Sequence, residues 1–411
     1  MKQIINREAP IKNVYTPDVN LGKEEKIIPT VPMKDYAHFI RPSDNNEAKE
    51  LGEKCAEEVK ANFIADFERT IAYCERNGEE NPDLMVHVST YIILDGIIYM
   101  TYYASTTKDT ESSKDQTARF AFCPENNPED MTIVDLQSVG DELDGRKMIR
   151  VYDTILMYKG GDELYLMWTA MPEDNYYRFY CTFNMKTKTL GPTKANRFKV
   201  GDTVNDFSIS GMKAALSNND IPFKAMWSDI GIMQKLSTRV ENGETYYYTG
   251  AYSGNFNCII KSRDFITWEY VATPDFINNS VWENATYVIG DRVYYFVRQQ
   301  ECNQGFLTAY DLVNDTWDAP VLIADTQSRS DFIVYKDELY LIHAPVNREG
   351  FGIVKVNKED LTKSEVVLVA DMKESFFYPY VSVYGDAAYI SYTVDRKHIR
   401  LSKFDLRNYT K

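Results

Sequence analysis

The sequence has few cysteines, and their spacing offers no framework for cross-links. Only six occur among 411 residues, and no two of them form a Cys-x-x-Cys pair. Isolated cysteines argue against both a disulfide framework and a thiolate metal site. We therefore predict neither for the cysteines of this chain, which are Cys55, Cys74, Cys123, Cys181, Cys258 and Cys302.

Positive charge is also scarce. The chain has 46 Lys and Arg against 61 Asp and Glu, which gives a formal net charge of −15 at pH 7. Nucleic acids and anionic membranes are bound through basic patches, so this balance argues against both as partners. No block of like charge concentrates the acidity, and we interpret it as a solubility surface.

Long apolar runs and common cofactor motifs are missing as well. Residues 1–8 lack the apolar stretch of a secretory signal, and no run reaches the length of a membrane span. The sequence contains no His-x-x-x-His pair, no phosphate-binding Gly-rich loop and no nucleophile elbow. We therefore predict a cytoplasmic protein that uses no metal and no other cofactor.

Tyrosine and phenylalanine, by contrast, are abundant, with 30 and 20 copies, and many fall in a recurring pattern. Residues 284–298 read as two runs rich in Tyr, Phe and Val around a Gly-Asp turn. Such runs around residues that tolerate positive φ predict a β-hairpin. Six copies occur, the others at 87–104, 153–170, 235–252, 330–344 and 378–395.

Two further strands follow most of these hairpins. After 235–252, for example, strands are predicted around 257–261 and 267–271. Radial repetition of four-stranded sheets is the pattern of a β-propeller. We predict an all-β protein with a six-bladed β-propeller, five or seven blades being the alternatives. A pair of stacked β-sandwiches is the competing architecture, but sandwiches lack this repeat.

The N-terminal part differs from the repeats. Residues 1–43 contain five prolines and predict an extended segment that closes the ring. The last blade lacks a fourth strand, and we expect 26–31 or 36–40 to donate it. Over 44–78, apolar residues recur at spacings of three and four, which predicts one amphipathic helix before the first blade. The propeller then occupies 79–411, as part of one overall domain.

Charged and aromatic residues recur at both ends of the predicted hairpins. In a propeller the innermost strand begins, and the second strand ends, on the same face beside the axis, so these residues share one funnel. Trp227 belongs to a long interruption, 205–231, which we expect to form a loop over one face. Polar groups between aromatic walls suit a sugar. The other candidates are His87, Asp153, Trp168, Lys235, Glu283, Arg298, Gln299, Asp331, His343, Tyr378 and Arg396.

Each candidate also has a purely structural interpretation. Asp153 could form a hydrogen-bonded bracket between blades. Glu283 could simply pair with Arg298, one hairpin away. His87 and His343 could be core histidines with satisfied ring nitrogens. The functional interpretation depends on the set, because charge would have to point inward in all six blades by accident.

Short motifs resemble those of the sialidase-like propellers. The Ser-x-Asp…Thr-Trp turn at 262–268 resembles an Asp-box, and Phe377-Tyr-Pro-Tyr380 resembles the Tyr-bearing entry to the last blade. Residues 394–400 resemble the closing strand of the wider neuraminidase-repeat (BNR) families, which include polysaccharide lyases. Phe39-Ile-Arg-Pro42 is similar to the Arg-Ile-Pro entry of sialidases. The chain thus resembles this superfamily of glycoside hydrolases and lyases.

The resemblance implies roles for several candidates. Tyr378 matches the nucleophile, and Glu283 matches the carboxylate that raises its basicity. Asp153 would be the general acid/base. A cluster that grips a substrate carboxylate in bidentate fashion would comprise Arg41, Arg298 and Arg396.

Three functions remain open at this point. The first is an exo-acting glycoside hydrolase on short, acidic oligosaccharides, with Asp153 and Glu283 as the two carboxyl groups. The second is a uronate lyase, in which His87, His343 or Tyr378 abstracts a proton beside a carboxylate neutralised by Arg. The third is a propeller that binds a glycan or a protein without catalysis.

Overall fold

The structure is a computed structural model. Within the residues it describes, the chain is almost entirely β, with two α-helices, Asn46–Ala61 and Ile209–Asn218. Neither helix of this described part combines the length and the apolar character that crossing a membrane requires. The described residues are 5–16, 19, 21–29, 38–68, 83–173, 175–224, 226, 229–232, 235–274, 281–299, 304–324 and 328–410.

Three sheets, numbered here along the chain, consist of four antiparallel strands in up-and-down order. The first sheet comprises Met85–Leu94, Ile97–Ser105, Thr117–Pro124 and Thr132–Ser138. The fifth comprises Asp331–Tyr335, Glu338–His343, Gly350–Val356 and Glu365–Asp371. The sixth comprises Phe377–Tyr384, Ala387–Val394, His398–Asp405 and Phe63–Glu68.

The remaining sheets add short outer strands to the same plan. The second comprises Arg146–Met157, Glu163–Pro172, Tyr177–Asn184, Thr189–Leu190, Lys194–Ala195, Asn6–Arg7 and Glu142–Leu143. The third comprises Ser237–Glu241, Gly231–Ile232, Glu244–Ser253, Phe256–Ser262, Thr267–Ala272, Arg197–Val200 and Thr203–Asp206. The fourth comprises Val281–Ile289, Arg292–Gln299, Gln304–Asp311, Thr316–Trp317, Val321–Ala324 and Phe39–Ile40. A separate two-stranded sheet comprises Ile27–Ile28 and Phe223–Lys224.

The predicted hairpins form, and their turn residues explain why. Asp95 and Gly96, between the first two strands of the first sheet, have φ angles of 50° and 73°. Asn242 and Gly243 make the corresponding turn of the third sheet at 50° and 83°. Two consecutive left-handed residues match the twist of a hairpin, and Asn, Asp and Gly adopt that conformation most easily.

Each sheet packs an apolar face against the next sheet along the chain, and the sixth packs against the first. Phe120 of the first sheet and Phe183 of the second lie with ring centroids 4.8 Å apart. Tyr91 of the first sheet and Tyr380 of the sixth meet edge to face at 5.3 Å. Comparable buried clusters join the second to the third, the third to the fourth, the fourth to the fifth and the fifth to the sixth. This closed succession is a β-propeller arrangement, as predicted.

The N-terminal helix is shorter than predicted. It begins after Asn45, whose side chain accepts a hydrogen bond from the amide of Ala48 at 3.0 Å, and it ends at Ala61. The pattern extends the helix to residue 78, but Phe63–Glu68 is instead the fourth strand of the sixth sheet. The unpaired backbone groups at that sheet edge favour a strand. Residues 69–78 lie outside the described part of the chain.

The predicted donor of the closing strand is therefore wrong. Ile27–Ile28 pairs with Phe223–Lys224, and Phe39–Ile40 pairs in parallel with Val321–Ala324 at the outer edge of the fourth sheet. The helix Asn46–Ala61 buries Cys55, Ala56 and Val59 against the fifth and sixth sheets. Its C-terminal end thus delivers the chain to the open edge of the sixth sheet.

The interruption at 205–231 is also more regular than predicted. It contains the helix Ile209–Asn218, which is capped by the Ser208 hydroxyl accepting from the Gly211 amide at 3.0 Å. Met212 and Leu216 bury this helix in the cluster between the second and third sheets. Packing against that cluster explains why a helix forms where the composition predicts a loop.

Candidate active site

The innermost strands of four sheets carry a β-bulge, at register shifts within Met85–Leu94, Arg146–Met157, Val281–Ile289 and Phe377–Tyr384. In three of them a residue other than glycine has a left-handed backbone: Val88 at φ 50°, Asp153 at 51° and Tyr378 at 55°. Such bulges re-aim side chains and occur next to active sites. Here they direct all three residues toward one cavity.

This cavity has a volume of about 260 Å³. As the sequence predicts, starts of innermost strands and ends of second strands contribute to its wall. Tyrosine and charge dominate the lining. The tyrosines are Tyr103, Tyr152, Tyr252 and Tyr378, and the charged residues are Glu111, Asp153, Asp229, Glu283, Arg298, Arg329, Arg348 and Arg396.

Tyr378 and Glu283 form a hydrogen-bonded pair in this cavity. The phenol oxygen of Tyr378 donates to Glu283 Oε1 at 2.8 Å, and Arg298 Nη1 donates to Oε2 at 2.6 Å. Burial, together with the charge of Glu283, raises the pKa of Tyr378 above its usual value. Burial opposes ionisation of Glu283, but the charges of Arg298 and Arg329 outweigh it and lower the pKa. At neutral pH a phenol therefore faces an ionised carboxylate that can take its proton.

Arg329 lies beneath this pair. Its Nη2 atom is 2.7 Å from Asp153 Oδ1 and 3.7 Å from Glu283 Oε1, and its guanidinium carbon is 5.1 Å from the ring centroid of Tyr378. The second oxygen of Asp153 lies 3.4 Å from Arg178 Nη1. Because Arg329 contacts both carboxylates, it fixes Asp153 relative to Glu283 and Tyr378.

Arg348 has no such carboxylate partner among the described residues. Its guanidinium carbon lies 4.3 Å from the ring centroid of Phe377 and 5.5 Å from that of Tyr378. The Nε and Nη2 atoms are buried, and no described residue accepts a hydrogen bond from them. Burial lowers the pKa of Arg348, and the charges of Arg298 and Arg396 act in the same direction. An anion in the cavity would satisfy both the charge and the donors.

Glu111 projects into the cavity from the connection between the second and third strands of the first sheet. Its Oε1 atom accepts from the Tyr103 hydroxyl at 2.7 Å, and its Oε2 atom accepts from Arg396 Nε at 3.0 Å. The fully buried His87 places Nε2 3.7 Å from Oε2 and meets the ring of Tyr378 edge to face at 4.9 Å. Burial lowers the pKa of His87 to about 3, so this imidazole is neutral.

Comparison with known proteins shows which solved structures share this fold. No family model matches the sequence, and no curated protein sequence is similar to it. Solved structures are similar: the NanB sialidase from Streptococcus pneumoniae superposes with a TM-score of 0.52 at 10% identity, over 85% of this chain and 71% of that one. The phage phi92 endosialidase gives 0.50 at 9% identity, over 79% and 68%. The chain has the sialidase-like β-propeller fold. At these identities the likeness concerns the fold alone.

The turn at 262–268, which resembles an Asp-box in sequence, is held together by its own side chains. At 262–268, Asp264 Oδ1 accepts from the amides of Ile266 and Thr267, both at 2.8 Å. The Ser262 hydroxyl accepts from the amide of Phe265 at 2.9 Å, and Trp268 is fully buried. The turn joins the third and fourth long strands of the third sheet and is structural, because it lies away from the cavity lining.

Several candidates predicted from the sequence lie elsewhere in the sialidase-like propeller. Trp168 is buried in the cluster between the first and second sheets. Gln299 is buried on the opposite side of its strand from Arg298, since side chains alternate. His343 is buried against Gly352, and burial lowers its pKa to about 3. Arg41 is half exposed near the outer edge of the fourth sheet, 3.6 Å from Asp44. We correct the prediction that these four residues line the funnel.

Lys235 lines a second cavity, and Asp331 is buried beside Lys235 without lining either cavity. Lys235 Nζ lies 3.2 Å from Asp331 Oδ2 and 4.4 Å from the ring centroid of Tyr380. Lys235 lines this cavity of about 340 Å³ beside Leu156 and Tyr287. The pair is therefore separate from the Tyr378 cavity, which corrects the prediction of a single shared funnel. Trp227 lies outside the described residues.

Sequence reasoning missed four charged residues of the cavity: Glu111, Asp229, Arg329 and Arg348. Asp229 lies in the interruption 205–231. Arg329 precedes the start of its strand at Asp331 by two residues, so a rule that selects strand starts does not reach it. Arg348 and Glu111 follow the ends of second strands, within the connections to the third strands. A search extended into these connections would have found them. Among the described residues, no cluster of three His, Cys, Asp or Glu side chains could hold a metal ion.

Proposed function

We propose that this protein is a carbohydrate-active enzyme, namely an exo-acting glycoside hydrolase on short acidic oligosaccharides. The observation that carries the proposal is the unsatisfied, buried guanidinium of Arg348 next to the hydrogen-bonded Tyr378–Glu283 pair. It combines a place for an anionic substrate group with an activated nucleophile. The structural neighbours named as sialidases are consistent with such a substrate, although their fold alone does not establish it.

An acidic sugar is favoured by the charges of the cavity. Arg298 pairs with Glu283, Arg329 with Asp153 and Arg396 with Glu111. Arg348 alone among these four arginines has no carboxylate partner within the described residues. A substrate carboxylate would accept hydrogen bonds from its Nε and Nη2 atoms in the bidentate manner that guanidinium groups favour. The Arg41 position predicted for this cluster is thus taken by Arg348.

In the proposed chemistry Tyr378 attacks the anomeric carbon as the bond to the leaving oxygen breaks, and Glu283 accepts the phenolic proton. No anionic nucleophile therefore has to approach the substrate carboxylate. Asp153, aligned by Arg329, is the proposed acid/base group: it protonates the leaving oxygen and then takes a proton from the water that releases the sugar from Tyr378, which recovers its own proton from Glu283. His87 packs against Tyr378 and fixes the direction of its ring.

The size of the cavity favours an exo mode of action. Its volume of about 260 Å³ lies below the roughly 300–1,000 Å³ of pockets for drug-sized ligands. It therefore suits a terminal sugar better than an internal segment of a long chain.

We also propose that the propeller has six blades, because the described residues form six large sheets, each of which would be one blade. The cytoplasmic location stays a prediction.

Release of reducing sugar from a panel of acidic and matched neutral oligosaccharides tests the proposal. We expect Glu283→Gln to lower kcat by about a thousand-fold or more, because the phenolic proton then has no acceptor. Binding, followed by calorimetry, should change by no more than a few fold. Arg348→Ala should raise KM about 30-fold or more for acidic substrates only, in line with about 2 kcal/mol or more for a charged hydrogen bond. Arg41→Ala is the control. Full turnover by Glu283→Gln would refute the assignment.

A uronate lyase is the second candidate, and the position of Tyr378 next to Arg348 favours it. Tyr378, once its proton has passed to Glu283, could abstract a proton beside a carboxylate that Arg348 neutralises. His87 and His343, also predicted for this role, are fully buried and lie outside the cavity lining, which corrects the prediction that they line the funnel. A lyase product carries a conjugated double bond and absorbs in the ultraviolet, whereas a hydrolase product does not. A glycan-binding or protein-binding propeller would yield neither product.

A further inference from the structure

The connection between the second and third strands of the first sheet brings a surface carboxylate into the cavity. Residues 107–111 of this connection are exposed, and the side chain of Glu111 is 37% exposed. Asp153 and Glu283 are, by contrast, 3% and 6% exposed. Glu111 therefore differs from the other two in belonging to a solvent-exposed segment rather than to a strand.

Glu111 forms an ion pair with one of two guanidinium groups that lie next to the same aromatic ring. The guanidinium carbons of Arg348 and Arg396 lie 4.3 Å and 5.1 Å from the same ring, that of Phe377. Arg396 receives the carboxylate of Glu111 at 3.0 Å, whereas Arg348 has no carboxylate among the described residues. Of these two arginines, Arg396 is thus already neutralised by a carboxylate of the protein itself, and Arg348 is not.

We propose that Glu111 is a specificity-determining residue that competes with anionic ligands for Arg396. This inference rests on the proposed recognition of a carboxylated sugar. A ligand carboxylate at Arg348 gains the second guanidinium only by displacing Glu111, and it is repelled by Glu111 until it does. Glu111 therefore weakens the binding of carboxylates in general and leaves neutral sugars unaffected.

Binding isotherms at low ionic strength test this competition. The probes are acetate, glucuronate and N-acetylneuraminate, with glucose as the neutral control, measured by calorimetry on the full chain. We expect Glu111→Gln to bind the tightest carboxylated probe about ten-fold more strongly than the unaltered protein does. Asp109→Asn removes the same charge from the same exposed connection and should leave the Kd unchanged. Glucose should show no difference among the three proteins.

The double variant Glu111→Gln/Arg396→Gln shows where any gain arises. If Glu111 competes for Arg396, this variant loses the ten-fold gain and binds no better than the unaltered protein. The inference is overturned if Glu111→Gln binds carboxylates within two-fold of the unaltered protein, if the gain survives in the double variant, or if no carboxylated probe binds. Unchanged thermal unfolding of each variant verifies that the fold is intact.

Turnover, measured separately, distinguishes this inference from the proposed function. Tighter carboxylate binding by Glu111→Gln in a protein that hydrolyses none of the oligosaccharides would support the inference and refute the hydrolase. Loss of kcat for substrates with poor leaving groups, without a gain in affinity, would make Glu111 a proton donor and overturn the competition.

Discussion

At the scale of single residues, the cavity depends on backbone conformations that side chains normally avoid. Val88, Asp153 and Tyr378 occupy equivalent bulges in three sheets, with φ between 50° and 55°. Asp adopts this region with some ease, but a β-branched residue does so only under constraint. Val88 also packs with Met85 and Tyr103 at the cavity wall. Strain of this kind persists where the surrounding structure enforces it.

We predict that Val88→Gly is more stable than Val88→Ala, by about 1 kcal/mol in the free energy of unfolding. Both variants lose the same valine contacts to within one methyl group, but only glycine relieves the left-handed strain, which costs roughly 1–2 kcal/mol. Urea unfolding measures the difference. Val134, buried in a regular strand, is the control, where glycine should be less stable than alanine by about 0.5–1 kcal/mol. If the alanine variant is more stable than the glycine variant at position 88 as well as at position 134, the prediction is wrong.

The residues found from sequence and those missed differ in how their positions are fixed. Glu283, Arg298 and Tyr378 could be placed because hairpin register determines which strand ends meet at the axis. Trp168 and Gln299 were misplaced because an error of one position moves a side chain to the other face of its strand. Glu111, Arg329 and Arg348 lie in connections, whose conformation depends on tertiary contacts that no local pattern specifies.

At the scale of elements, the helix Asn46–Ala61 shows how close packing selects a residue. Gly52 faces the outer strand of the fifth sheet, and a Cβ atom there would lie 1.9 Å from the carbonyl oxygen of Val369. A real Cβ atom cannot approach so near. The glycine is therefore required by contact with the sheet, although it weakens the helix itself.

We predict that Gly52→Ala lowers the free energy of unfolding by about 2 kcal/mol, the size of effect seen when a packed contact is overfilled. On an isolated helix the same change would be stabilising by about 1 kcal/mol, so the sign tests the contact. The midpoint of urea unfolding gives the value. Lys54→Ala, on the exposed face of this helix, should change stability by less than about 0.5 kcal/mol. If Gly52→Ala instead raises the free energy of unfolding, the helix does not contact the sheet closely at this position.

The same region shows why the fold was only partly predictable. Phe63 and Phe67 are four residues apart, a spacing that fits one face of a helix and, being even, also one face of a strand. Periodicity thus cannot choose between the two for residues 63–68. The choice is made by the open edge of the sixth sheet, which belongs to the other end of the sequence.

At the scale of the whole molecule, a buried charge cluster makes stability depend on pH. Arg119 lies 2.8 Å from Asp83 and 3.2 Å from Asp135, and all three side chains are buried in the first sheet and at its entry. Burial raises the pKa of Asp83 to about 7, against 3.8 for the free side chain, although Arg119 acts to lower it. The folded protein therefore holds a proton that the unfolded chain releases.

We predict that the contribution of Asp83 to stability falls as the pH rises from about 4 to about 7, because over this range its side chain holds a proton in the folded state that it has lost in the unfolded state. Asp83→Asn removes this contribution, so the unfolding free energy of the unaltered protein should fall relative to that of the variant as the pH rises, with Arg119 still paired with Asp135. Urea unfolding at several pH values provides the curves. Asp95→Asn, at an exposed turn of the same sheet, should keep the original slope. Parallel curves for Asp83→Asn and the unaltered protein would contradict this assignment.

The closing strand sets a condition on how the protein is made. Asp66 meets His398 across 332 positions of sequence, so Phe63–Glu68 leaves the ribosome long before its neighbour. At about 5–20 residues per second, the wait is on the order of 15 to 70 s. Throughout this time the exposed edge of Phe63–Glu68 must not pair with other strands, and the sixth sheet can form only after His398–Asp405 has left the ribosome. Synthesis rate and chaperone supply should therefore limit the yield of this protein more than its equilibrium stability does.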